Sequence, residues 1–281
     1  MSDDVLRVWT KAGVVLVAAG AMAVAAPALQ SQAAAAARIV VAAAQAGEGG
    51  EGGEGAKPSG TAAADPLAGA PPDVALAVNL GLIRGHLRAA EELVAAGNFK
   101  DAVPHVHHPI EEIYDGIKGD LAKRNIAPFE DKLDALMKAI EAQDAAAFAQ
   151  GLKAARAALD AAQETIPGRE TLGFQLANGL YLLKSAVPEY GESIADGSIK
   201  NVVEYQDARG FIQEATLVFT GALPALKAKD AQAASDIQRA LDTLNAATPT
   251  IAPPEKPIKS AGAVMGLTSL VELAVGSHSG D

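Results

Sequence analysis

The sequence predicts an all-α protein: two tandem up-down antiparallel helical bundles behind an N-terminal signal or anchor helix and a flexible linker. Three observations carry this. From Pro72 onward apolar residues recur at helical spacing, as in Leu76, Leu80, Ile83, Leu87 and Ala90, with Arg84, Arg88, Glu91 and Glu92 opposite. No alternating Val/Ile/Thr run of strand type occurs, and the breaks are short, at Gly97-Asn98, Asn125 to Pro128, Gln143-Asp144, Pro167-Gly168, Asp196-Gly197 and Pro249. Helices of about 15–25 residues joined by such loops must run antiparallel to their neighbours. The two halves also echo each other in order: Gly81-Leu82 with Asn98 to Val103 against Gly179-Leu180 with Ser198 to Val203, and Leu152 to Ala162 against Ile237 to Ala247.

Composition sets the limits. The 281 residues are 49% hydrophobic and only 4% aromatic, so a sizeable core exists and is built mainly from Ala and small aliphatics. Cysteine is absent, which excludes disulfides, thiolate metal sites and thiol nucleophiles and leaves any metal to His and carboxylate. A net charge of -11 with no Lys/Arg stripe excludes nucleic acid as a partner.

The elements are taken in chain order. In residues 1–33, Arg7 and Lys11 precede an uncharged, almost wholly apolar stretch from Ala12 to Leu29, the pattern of an export signal or membrane anchor. Small-x-small sites at Ala26-Pro27-Ala28 and Ser31-Gln32-Ala33 permit cleavage, and basic residues on the N-terminal side place the rest of the chain outside the inner membrane. Trp9 belongs at the membrane interface on this reading. Residues 34–72 contain the Gly/Glu run from Gly47 to Gly55 and Pro58, Pro66, Pro71 and Pro72, a tether that buries nothing. About 26 residues of such chain reach roughly 25–30 Å. The first bundle is expected over 73–167 and the second over 168–248. In 249–281 a Pro-rich stretch precedes a short amphipathic helix that packs on the second bundle or on a partner.

Four of the five histidines fall in the first bundle. If the helices turn at Gly97-Asn98, His86 lies opposite about position 109, beside His108. On the second helix His105, His108 and Glu112 share a face through i+3 and i+4 steps, and His107 and Glu111 form the adjoining one. His86, His105, His108 and Glu112 are therefore the candidate metal ligands, in a set that suits zinc, copper(II) or iron. His86 and His108 facing each other also make a candidate axial pair for haem. Pro104 and Pro109 predict a kink or restart near His108.

Elsewhere the chemistry is sparse. Glu189, Tyr190, Glu192, Glu204, Tyr205 and Asp207 offer a remnant carboxylate site but read more simply as a solvated helix face. Phe99, Tyr114, Phe129, Phe148, Tyr181 and Phe211 read as core anchors that fill the space Ala leaves. No nucleophile elbow or phosphate loop is present, so no enzyme is expected.

The Gly-Glu linker, then Gly81-Leu82-x-x-Gly85-His86-Leu87 and His108-Pro109-x-x-Glu112-x-Tyr114, resembles a group of exported helical proteins of proteobacteria. The paired-bundle plan is also distantly similar to imelysin-like periplasmic proteins of iron uptake. Their Gly-x-His-x-x-Glu signature is not matched here, because Ala89 stands three residues after His86. The resemblance implies a periplasmic compartment and a helical fold. Two functions are expected from these readings: a periplasmic protein that binds a metal ion or haem through the first bundle, or a non-catalytic accessory subunit docked on the periplasmic face of a membrane protein complex.

Overall fold

The computed structural model describes residues 65–278. The expected signal or anchor segment, its cleavage sites, Trp9 and the Gly/Glu run lie outside the described residues. Within them the protein is helical, and no described helix is long and apolar enough to cross a membrane.

Helix α1 (Pro72–Ala95) starts on a proline at its first position, where the missing N–H removes nothing from the ladder. It stops at Gly97, whose φ of 79° lets the Gly97 and Asn98 amides donate back to the Val94 and Leu93 carbonyls. The prolines beyond it fragment the return path. It runs as α2 (Phe99–Ala102), α3 (Pro104–His108), a π-helical stretch Pro109–Tyr114 and α4 (Asp115–Lys123). The expected break near His108 is thus a change of helical pitch rather than a stop. Helices α5 (Glu130–Glu141) and α6 (Ala145–Glu164) complete the first half, α6 being capped by the Asp144 carboxylate, which accepts from the Ala146 and Ala147 amides.

The second half consists of α7 (Leu172–Glu192), α8 (Val202–Lys229), α9 (Ala231–Ala247) and α10 (Ala261–Gly276). Between α7 and α8 lies a miniature antiparallel hairpin, β1 (Ile194–Ala195) and β2 (Ser198–Ile199). Asp196 and Gly197 both have positive φ, the requirement of a two-residue hairpin turn. Two residues per strand are too few to show an alternating pattern, which is why the sequence reads there as a plain break. Helix α10, expected in a separate tail, packs against α7 and α9 as the fourth helix of the second bundle. The coil before it braces α7 and α8. Its carbonyls at Thr248, Thr250, Ile251 and Lys259 accept from Arg209 Nε, Tyr205 OH, Gln206 Nε2 and Tyr190 OH at 2.8–3.1 Å.

Two apolar cores result, and α1 serves both. Leu80, Ile83 and Leu87 join the first with Phe129, Phe148 and Leu159, while Val74 and Val78 join the second with Tyr190, Tyr205 and Phe219. Tyr114, Phe129, Phe148 and Phe211 are buried as expected, and Phe99 and Tyr181 pack at the margins of the cores. Tyr190 and Tyr205 correct the sequence reading: they are fully buried rather than solvated.

Helices α1 and α8 touch backbone to backbone where Gly85 meets Gly210. A Cβ on Gly210 would collide with the Gly85 carbonyl, and one on Gly85 would lie 2.7 Å from the Phe211 ring. Replacing Gly210 with Ala should therefore force the two helices apart and lower stability by about 1–3 kcal/mol. Gly221→Ala on the same helix, where a methyl meets nothing within 4 Å, should be neutral or stabilising. Urea denaturation of the two variants checks this contrast.

Candidate metal centre

The glycine crossing brings His86 of α1 and His105 and His108 of α3 onto Asp207 of α8. His86 Nδ1 lies 2.6 Å and His105 Nδ1 2.7 Å from Asp207 Oδ1, and His108 Nδ1 is 3.4 Å from Oδ2. The Asp207 side chain is only 2% exposed, and its Oδ2 has no close, well-aligned hydrogen bond, only the 3.4 Å contact from His108. The predicted meeting across the hairpin is present: the rings of His86 and His108 stand edge to face at 5.6 Å. Ion pairs between Arg84 or Arg88 and Glu214, and between Glu92 and Arg209, flank the crossing.

His86, His108 and Asp207 each offer one ligand atom, all within 4.8 Å of one another. A cation with bonds of about 2.1 Å would hold such atoms about 3.0–3.4 Å apart at cis or tetrahedral angles and no more than about 4.2 Å in any geometry, so the widest pair closes by up to roughly 1.5 Å through side-chain rotation. This weakly engaged Asp207 oxygen is an acceptor that a cation would satisfy more fully. Above the trio opens a cleft of about 280 Å³ lined by His86, His108, Asp207, Glu112, Glu189, Glu192 and Glu204.

Burial governs the electrostatics. It acts to raise the Asp207 pKa, but the charge of His86 and hydrogen bonds from His105, His108 and His86 outweigh it and hold the carboxyl well below the ordinary carboxylate range. The hydrogen bond to Asp207 raises His108 in turn. Glu189 is pushed up to about 9, first by burial, then by a hydrogen bond with Glu204 and the charges of Glu204, Asp207 and Glu192.

The predicted ligands separate into distinct roles. His86 and His108 converge. Glu112 lines the cleft from the π-helical stretch but is not among the converging trio. His105 is displaced from the ligand set, because Gln206 donates its amide to the Ile251 carbonyl and so presents Oε1 to His105 Nε2 at 2.8 Å. With Nδ1 on Asp207, neither ring nitrogen remains for a metal, and His105 instead orients the carboxylate. His107 and Glu111 pair with each other on the exposed surface, away from the cleft.

Asp207 is the candidate ligand that sequence reasoning passes over in favour of a solvated face, and that part of the face is in fact buried against the histidines. A signal is present: Glu189 with Glu192, and Glu204 with Asp207, are i,i+3 pairs equally spaced about Ser198 in the α7–α8 connection, so antiparallel packing sets four carboxylates together. Haem does not fit here. Cofactor pockets of about 300–1,000 Å³ are walled mainly by apolar and aromatic groups, whereas every side chain lining this smaller cleft is ionisable.

A family model described as the iron permease-associated 4-helix bundle domain matches residues 167–277. The match covers the second bundle and Asp207, while His86, His108 and Glu112 lie before it. Comparisons with curated proteins and with solved structures yield no match.

In the metal-free protein Glu189 keeps a proton that the unfolded chain loses above pH 4.5, so its effect is loss of stability as pH rises from 4.5 to about 9. The His108 contribution is complete below 6.5 and is also lost as pH rises through its higher folded value. Asp207 acts oppositely, its contribution being complete above 3.8 and lost as pH falls. These groups together put the stability maximum on the acid side of neutrality. Glu189→Gln should raise stability at pH 8 by on the order of 1–3 kcal/mol, a gain that fades near pH 4. Denaturation midpoints measured across that range check it.

Proposed function

We propose that this chain is a non-catalytic helical module that binds iron as cargo at His86, His108 and Asp207, held outside the inner membrane beside an iron permease. The observation that carries the reading is the convergence of two imidazoles and one largely buried carboxylate, one oxygen of which meets only the 3.4 Å contact from His108. Two nitrogens and one oxygen with further positions open are a donor set that suits iron(II), with zinc and copper(II) as competitors. The match of residues 167–277 to a domain described as iron permease-associated supports iron as the cargo and a permease as the partner.

His105 and Gln206 hold Asp207 in place, and Glu112 stands where the cleft opens. Metal entry displaces the hydrogen from the His108 nitrogen now facing Asp207, so affinity falls as pH drops through the raised His108 value. The docking role draws support from α10, where Met265, Leu270 and Leu273 are more than half exposed. The export signal or anchor and the Gly/Glu tether read from the sequence support the location.

Two tests apply. Full-length protein titrated with iron(II), zinc and copper(II) should bind iron(II), and His86→Ala, His108→Ala and Asp207→Asn should each weaken binding by at least about 10–100-fold. His278→Ala should leave binding unchanged. Binding no tighter than about 0.1 mM for every metal, or affinities unaltered in the site variants, would overturn the assignment. For location, protease added to intact spheroplasts should digest the bundles, and protection until lysis is the contrary result.

A further inference from the structure

The cleft holds more acid than one cation needs. Asp207 is answered by His86, His105 and His108, but Glu189, Glu192 and Glu204 line the same cleft without such partners. Glu204 accepts from the neutral Asn201 amide at 3.3 Å. The buried Asp207 Oδ2, which has only the 3.4 Å contact from His108 and no well-aligned hydrogen bond, belongs to the same lining.

We propose that Glu189, Glu192 and Glu204 form a second cation position beside the His86, His108 and Asp207 site, with Asp207 between the two, so that the cleft holds a pair of metal ions. This rests on the function proposed above and adds its stoichiometry and ligand chemistry. The local fold supplies the geometry. Glu189 and Glu192 share a face of α7, Glu204 and Asp207 share a face of α8, and the short hairpin at Asp196-Gly197 sets the two faces together. Paired ions in carboxylate sites sit about 3.5–4 Å apart. A cleft of about 280 Å³ accommodates that separation with several waters at about 30 Å³ each. The second position is built of oxygen donors alone and so takes a hard cation, iron or manganese(II), in preference to copper or zinc.

The test uses full-length metal-free protein loaded anaerobically with iron(II) or manganese(II), with bound metal counted after equilibrium dialysis. Two equivalents are expected for the wild type and one for Glu189→Gln/Glu204→Gln, in which the remaining ion keeps its affinity within about threefold. These substitutions preserve shape and remove like-charge crowding, so the variant should fold, as circular dichroism would verify. The manganese(II) paramagnetic resonance spectrum should show exchange coupling in the wild type and an isolated ion in the variant. One equivalent in the wild type, or two in the variant, overturns the second position alone. No bound metal in the wild type overturns both this position and the function on which it rests.

Discussion

The buried Asp207 carboxylate is the constraint around which the molecule is arranged. An ionised carboxylate taken out of water costs several kcal/mol unless charge and hydrogen bonds replace its hydration. Here three imidazoles do so, from two helices on the other side of the crossing. Their approach requires α1 and α8 to touch, which only the Gly85–Gly210 contact allows. Removing the carboxylate would leave His105 and His86 facing an apolar or neutral group. The centre is thus a structural staple and a candidate binding site through the same atoms.

An Ala-rich protein must obtain rigidity from few large side chains, and these are placed where helix ends and coil need fixing. Tyr114 stacks edge to face on Phe129 at 4.8 Å and accepts from the Phe129 amide, closing the turn before α5. Tyr190, Tyr205, Gln206 and Arg209 reach the carbonyls of the Pro-rich coil, which cannot satisfy them within a helix of its own. That coil therefore belongs to the site's support: Ile251 orients Gln206, Gln206 occupies His105, and His105 orients Asp207.

Much of this is legible in the sequence, for a definite reason. Helices are readable because their apolar period is local, and their ends because Asp144, Asp230 and Gly97 carry known capping chemistry. The meeting of His86 with His108 is readable because a hairpin converts sequence distance from a turn into position along a neighbour. The partner of those histidines is not. His86 and Asp207 are separated by 121 residues, and no hairpin geometry relates α1 to α8. Their contact depends on which small residues allow backbones to meet, a property of two surfaces rather than of one pattern. The loss of His105 as a ligand has the same origin, since Gln206 arrives with α8.

The acidic cluster differs in kind, because its hairpin is readable and only its burial is not. A charged face at i,i+3 spacing is most simply solvated, and α7 and α8 would satisfy that reading if they stood alone. Packing α1 and α3 onto α8 makes it a cleft, and the cost of burial, with like-charge crowding added, appears as the raised Glu189 carboxyl. A fold selected for stability alone would relieve that crowding with a lysine or a glutamine at one of these positions. Under the proposed metal-binding role, carboxylates left unneutralised beside the buried Asp207 exchange stability of the empty protein for affinity toward a cation. Binding to the folded state then restores what the empty site gives up, since any ligand that prefers the native form stabilises it by mass action.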